Sequence, residues 1–349
     1  VALEAFLDDK EVSLGVSVDL FEETLSSSAA TSDIETLFQL VHLTMTAPRI
    51  DDVAVDRYVD DLLPLARDPS IDAGYAEYVA LRDARYDDPR FLAPGADEIE
   101  ALAPAAVSAV VADRFGDAGD WSFSLSGDVD PEVVRDLARR YLGTLPATGR
   151  VDAVDYVEPP PPEGVVVAET TAGEGQTARI SLLFSTTASP DRRDDVAARI
   201  VDEVVSDRLT TVVRERLGET YSPFAVVTLG IGDDPALDGY ITISANPDDV
   251  SAVSAATVEE LADLGTVGPS QTEFDSAVAV VSEELGFVSD VQINQEVLDV
   301  LLDPSGTTDF RDFVFESELV SGFSRTEIQS IIAEWFPTDR YVELRIVPR

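Results

Sequence analysis

Ile331-Ile332-Ala333-Glu334-Trp335-Phe336 repeats the pattern of Val110-Val111-Ala112-Asp113-Arg114-Phe115 at an offset of 221 residues, and that match governs how the whole chain is read. At the same offset Pro48 meets Pro269, Val53 meets Phe274, Ile99 meets Val320, Leu102 meets Phe323 and Val107 meets Ile328. Each copy is expected to continue into a strand, Trp121 to Ser126 in the first and Tyr341 to Val347 in the second. Further upstream the register slips, and Val12 to Leu20 matches Ser222 to Gly230 better. In that register Val1 falls opposite Thr211, so the first copy is expected to lack about 45 to 60 residues at its start. The opening Val1-Ala2-Leu3-Glu4-Ala5-Phe6 has no initiator Met and no signal-peptide pattern, and reads as a cut end. The expected fold class is α+β: two repeated domains, each a mostly antiparallel sheet packed with helices, the first truncated at its N-terminus.

Between the copies, Glu158-Pro159-Pro160-Pro161-Pro162-Glu163-Gly164 favours extended polyproline geometry without ladder donors. The expected division is therefore 1–148 for the first repeat, 149–163 for a Pro-rich linker and 164–349 for the second, complete repeat. Before the linker, Asp130-Pro131-Glu132 supplies an N-cap, a proline at the first helical position and an acid in the first turn, with Gly143 as a C′ glycine. After it, Gly164 to Glu169 and Ala178 to Ser185 read as strands, joined by a hairpin or by a longer excursion. Ser189-Pro190-Asp191 opens a helix of about seven turns, with Val196, Ile200, Val204, Val205, Leu209, Val213 and Leu217 on one stripe and Gly218 as its stop. Tyr221 to Leu229 and Tyr240 to Ser244 are expected strands on either side of a turn at 230–235.

Composition removes whole classes of function. The 349 residues are 45% hydrophobic, enough for two cores, and they carry 68 Asp and Glu against 24 Lys and Arg, a formal charge of -44. Nucleic-acid phosphates and anionic lipid would both be repelled, so neither nucleic acid nor membrane is an expected partner. Lys10 is the single lysine and precedes no Ser or Thr, which excludes a Walker-type phosphate loop. Cysteine is absent, removing thiolate nucleophiles and Cys-ligated metals. His42, the only histidine, sits between Phe38 and Thr46 at helical spacing and reads as packed, not as a metal ligand. Gly230-x-Gly232 reads as a turn, and the pairs Asp51-Asp52, Asp60-Asp61, Asp87-Asp88 and Asp248-Asp249 as solvated charge. An Asp-rich, nearly Lys-free surface fits adaptation to salt, since molar ionic strength shortens screening to about 3 Å. Melting temperature is expected to fall as salt is diluted from about 1 M to 0.1 M; equal melting at both would remove the adaptation.

The most distinctive stretch is Val213-Arg214-Glu215-Arg216-Leu217-Gly218-Glu219-Thr220-Tyr221-Ser222. Arg214 lies in the last turn of the long helix, and Tyr221 opens the next strand. Two readings stand at this point. Arg214 complements the negative end of the helix dipole while Tyr221 caps the core, or the two side chains converge at one end of the sheet as a functional pair.

Arg214 to Tyr221, with the Leu217-Gly218 step between them, resembles the Arg/Tyr element in the C-terminal half of pitrilysin/insulinase-type zinc peptidases, the inverted zincins. Ile34-Glu35-Thr36-Leu37-Phe38-Gln39-Leu40-Val41-His42-Leu43 followed by Thr46-Ala47-Pro48-Arg49 is similar to a third-domain segment of long members. Gly127-Asp128-Val129-Asp130-Pro131 looks like the strand-to-helix step that closes the family's repeats. The resemblance implies the C-terminal, substrate-clamping half of a zinc metalloendopeptidase that hydrolyses unfolded peptides in a closed chamber. It implies that Arg214 binds the substrate backbone and that Tyr221 is catalytic, donating to the oxyanion across the cleft. The family's H-x-x-E-H motif needs two histidines, so no cofactor is expected in this chain, and zinc is expected in an N-terminal catalytic half or partner subunit. The alternatives are the non-catalytic subunit of a two-subunit peptidase, or a pseudoenzyme or scaffold that only binds. The compartment stays open; a soluble protein, periplasmic or secreted from a bacterium, is compatible with the resemblance.

Overall fold

The computed structural model describes residues 3, 6–7, 9–18, 23–119, 121–150, 162–187, 191–217, 223–229, 236–286, 290–302 and 316–349. Two compact units emerge. The first comprises Val1–Leu62, Asp97–Val157 and Asp290–Leu301; the second comprises Leu63–Ala96, Glu158–Ser289 and Leu302–Arg349.

In the first unit β1 (Ser13–Val18) pairs antiparallel with β2 (Glu23–Ser28). Helix α1 (Ile34–Thr46) buries Leu37, Phe38, Val41 and Met45, one stripe at helical spacing, against Val12, Leu137 and Leu145. His42 lies on the flank of this stripe. Its Nδ1 is 2.7 Å from the Tyr141 carbonyl, which can only accept, so Nδ1 carries the proton and the ring serves packing, as the sequence suggested. Helix α2 (Asp52–Arg67) carries the chain out of this unit, and α3 (Ala73–Arg85) and α4 (Ala96–Glu100) follow. Helix α5 (Pro104–Phe115) returns to the first unit, and α6 (Pro131–Leu137) opens on Asp130, whose carboxylate accepts the Glu132 N–H at 2.9 Å.

Two local expectations are corrected here. Gly143 is not a left-handed C′ residue: its φ is -67°, and its N–H reaches back five residues to Ala138 at 2.8 Å, closing a π turn over Ala138–Leu142. Trp121 to Ser126 forms no ladder. Trp121 and Leu125 pack on the first core, and Ser124 Oγ bonds Asn294 Oδ1 at 3.0 Å. The second copy's strand pairs on both sides, whereas no described strand flanks this one.

The second unit is built on a five-stranded sheet of β3 (Val165–Thr171), β4 (Ala178–Thr187), β5 (Phe224–Leu229), β6 (Ala236–Ala245) and β7 (Tyr341–Val347). Their order is β3-β7-β4-β6-β5. The terminal strand inserts between β3 and β4, parallel to the first and antiparallel to the second, so the link between β3 and β4 is not a hairpin. One face is covered by α7 (Arg192–Leu217), α8 (Val250–Thr266), α9 (Gln271–Glu284) and α12 (Arg325–Trp335). The remaining described helices are α10 (Asp290–Leu302) and α11 (Glu316–Val320). Ile180, Leu182 and Phe184 enter that helical core, where Phe184 meets Phe336 edge-on at 5.1 Å. Gly239 on β6 makes room for this ring, since a Cβ there would stand 2.8 Å from Phe336 Cε1.

The opposite face of the sheet is also covered, which explains why β4 and β7 read as nearly continuous apolar runs. Leu183, Val342 and Leu344 pack against Ala80, Leu81 and Ala84 of α3. Residues 63–96 therefore join the second unit, and compactness does not follow the chain order of the expected 1–148 and 164–349 repeats. Most of the expected linker, 151–161, lies outside the described residues, as do the expected cap Ser189-Pro190 and turn 230–235. The repeat itself is visible in the helices: α5 starts at Pro104 and α12 at Arg325, again 221 residues apart. Ile328 and Ile332 of α12 are fully buried, whereas Val107 and Val111 are half-buried.

Candidate functional site

Helix α7 is the platform of the candidate site. Asp191 caps its start by accepting the N–H groups of Arg193 at 2.8 Å and Asp194 at 3.1 Å. Val196, Ile200, Val204, Val205 and Leu209 are fully buried along one stripe, as their spacing demands. Arg193 ties the first turn to α12: it bonds Glu327 at 2.7 Å and the Gly322 carbonyl at 3.2 Å, and lies 4.0 Å above the Phe323 ring.

Farther along, Arg208 occupies the buried stripe and is surrounded by carboxylates. Its Nε and Nη2 fork onto Glu273, the latter at 2.9 Å, and Nη1 reaches Asp263 at 3.0 Å and Glu260 at 3.3 Å. The Arg208 fork holds the Glu273 carboxyl down to about 2, and the same bonds raise the guanidinium. Glu273 also closes a capping box at the start of α9, accepting from the Ser270 N–H at 2.6 Å. One cation thus joins α7, α8 and α9.

One edge strand of the sheet, β5, lies along α7. Ser206 Oγ accepts the Ala225 N–H at 3.1 Å, and the Asp202 carboxyl accepts the Val227 N–H. Burial pushes Asp202 up to about 8, and its Oδ1 is buried with no partner. On the other face of the sheet, Glu77 of α3 accepts from Arg179 at 2.7 Å, from the Tyr240 hydroxyl at 2.7 Å and from Ser181. Burial alone would raise this carboxyl; the three donors outweigh it and hold Glu77 below its ordinary value.

Arg214 falls in the last turn of α7, where the sequence places it, and its side chain lies outside the described part of the structure. Tyr221 lies outside the described residues. What is described is the frame on either side: α7 runs to Leu217, and Pro223 precedes the antiparallel return along β5. Sequence reasoning missed Asp202, Arg208 and Glu77. The available signal was a charge on an otherwise apolar helical stripe: Asp202 and Arg208 beside Val201, Val204, Val205 and Leu209, and Glu77 beside Ala76, Ala80 and Ala84.

The sequence cannot form an H-x-x-E-H zinc motif, which needs two histidines. The whole chain holds one histidine and no cysteine, and among the described residues no three His, Asp or Glu side chains converge as metal ligands. Among the described residues no helix is long and apolar enough to cross a membrane.

Residues 115–281 match the family model of the peptidase M16 inactive domain. No curated protein sequence matches the chain. Among solved structures, a mutant of the ferredoxin protease FusC in complex with Arabidopsis ferredoxin is similar over 100% of this chain, with a TM-score of 0.79 and 17% identity. The periplasmic protease PqqL from Escherichia coli is similar over 100% of this chain, with a TM-score of 0.77 and 17% identity. In each case the chain spans only 38% of the other protein's length. The peptidase M16 inactive domain from Pseudomonas fluorescens is similar over 100% of this chain and 83% of its own, with a TM-score of 0.77 and 17% identity. These structures share the α+β fold. Residues 115–281 thus match a peptidase M16 inactive domain, in keeping with the resemblance of the sequence to the C-terminal half of pitrilysin-type peptidases.

Proposed function

We propose that this chain is the substrate-clamping half of a peptidase whose catalytic metal is held by another half or subunit. The observation that carries the reading is the α7–β5 frame. A 26-residue helix, fixed along its length, ends with Arg214 in its last turn, and seven residues later Tyr221 precedes the edge strand. That frame lies inside the segment matching the M16 inactive domain.

In this reading the Arg214 guanidinium donates to backbone carbonyls of an extended, unfolded peptide and fixes its register. Attack of water on the scissile carbonyl turns its oxygen into an oxyanion, and the Tyr221 hydroxyl donates a hydrogen bond to that oxygen. A donor placed where charge develops lowers the barrier more than it tightens ground-state binding. Activation of the water and the zinc expected for it are assigned to the other half, because a chain with one histidine cannot form the H-x-x-E-H motif. The ferredoxin held by the FusC mutant agrees with a protein-derived substrate. The chain's formal charge of -44 favours basic peptides by long-range attraction.

Arg214→Ala tests the clamp. In the reconstituted peptidase, kcat/KM is expected to fall by about tenfold to a hundredfold, mostly through KM, the loss of a charged hydrogen bond of about 1.5–3 kcal/mol. Unchanged kinetics would remove Arg214 from the site.

A further inference from the structure

We propose that Asp202 and Ser206 are positioning residues for Tyr221: one turn apart on α7, they hold the outward N–H groups of β5 and so tie the strand that follows the tyrosine to the helix that precedes it. The inference rests on the role proposed above for Tyr221. The geometry is a match of two periods. Four residues of helix rise about 6 Å, and two residues of strand rise about 6.8 Å, so side chains at i and i+4 of α7 meet amides at i and i+2 of an antiparallel strand. Asp202 takes Val227 and Ser206 takes Ala225 at 3.1 Å. The next position outward along the strand is Pro223, which has no N–H to satisfy. Pro223, Ala225 and Val227 are all buried, while Phe224 and Thr228 are exposed and Val226 is half-buried.

An edge strand ordinarily offers its outward amides to any passing strand. Here the donors at 225 and 227 are already taken by α7, so β5 is committed to the helix, in register with Asp202 and Ser206. Ser206 lies two turns before Arg214, and Ala225 lies four residues after Tyr221. The pair therefore acts on the spacing of Arg214 and Tyr221 without belonging to either.

Asp202 does this as a neutral acid. Its neighbours of like and opposite sign, Glu203 and Arg199, are both on its own helix, and β5 brings no charged group between Phe224 and Leu229. Because the folded carboxyl keeps a proton that the unfolded chain releases, the contribution of Asp202 to stability declines as pH rises from about 4 to 8 and is lost above 8. Asp202→Asn keeps a carbonyl oxygen for the Val227 N–H and does not titrate.

Hydrogen exchange on the full chain tests the staple. Asp202→Ala is expected to speed exchange of the Val227 amide about tenfold, and Ser206→Ala that of the Ala225 amide, with circular dichroism unchanged. Asp202→Asn is expected to keep wild-type protection and to flatten the pH dependence of stability. Exchange that ignores both alanine variants would overturn the staple. In the reconstituted peptidase, Asp202→Ala should lower kcat/KM by about tenfold to a hundredfold, with Asp202→Asn restoring it. Loosened amides with unchanged kinetics would overturn the positioning role. Tyr221→Phe, measured beside them, separates the two failures: if it too leaves kinetics unchanged, the reading of the site has failed; if it alone is damaged, only the positioning claim has.

Discussion

Tyr221→Phe in the reconstituted peptidase is expected to lower kcat by about 10² to 10³ while leaving KM nearly unchanged. Phe differs from Tyr by the hydroxyl alone, so packing and chain path are preserved and only the donor is removed. A donor aimed at developing charge in a site closed to water is worth far more than the same bond in solvent. The split between kcat and KM is the diagnostic part. A tyrosine that merely packs would change stability and leave kcat alone, and a tyrosine that only held substrate would raise KM.

The second large effect concerns Arg208. Arg208→Ala is expected to destabilise the second unit by about 3–5 kcal/mol at neutral pH, because Glu273, Glu260 and Asp263 are left facing one another without their cation. Its side chain is 15% exposed, as is that of Glu273, and Glu260 is 8% exposed, so water screens the remaining acids poorly. The pH dependence has a fixed sign. Glu273 has its folded value depressed to about 2, so its contribution is present above its ordinary value and is lost as pH falls toward 2. The cost of Arg208→Ala should therefore be largest at neutral pH and shrink on acidification. Arg208→Lys should fall between, since a single ammonium cannot fork onto Glu273. Denaturant midpoints at several pH values measure this; a cost below about 1 kcal/mol at pH 7 would mean the cluster is solvated.

Local pattern made some parts of this molecule legible and left others hidden. The stripe from Val196 to Leu209 gave α7, and Tyr341 to Val347 gave β7, because each period is written in consecutive residues. The offset of 221 residues between Pro104 and Arg325 emerged because both copies place apolar residues on the same helical face. The parallel pairing of β3 with β7 was not legible, since it joins residues nearly the whole second repeat apart and depends on pairing, not period. Nor was the docking of α3 on the sheet. Ser181 within Ile180-Ser181-Leu182-Leu183 hinted at a polar partner on that face, yet nothing local pointed to Glu77 about a hundred residues earlier. At the candidate site, the position of Arg214 in the helix's last turn followed from helix length. The α7–β5 staple did not, because Asp202 and Ser206 resemble ordinary polar helix positions until the strand is laid beside them.

The central claim is that this chain shapes and stabilises a reaction whose water-activating centre lies on another polypeptide segment. Cleavage of an unfolded peptide by the purified chain, alone and after mixing with a zinc-bearing M16 half, measures it directly. The account predicts no turnover alone, turnover on mixing, and loss of that turnover with Tyr221→Phe. Peptide hydrolysis by the purified chain without a companion would contradict it.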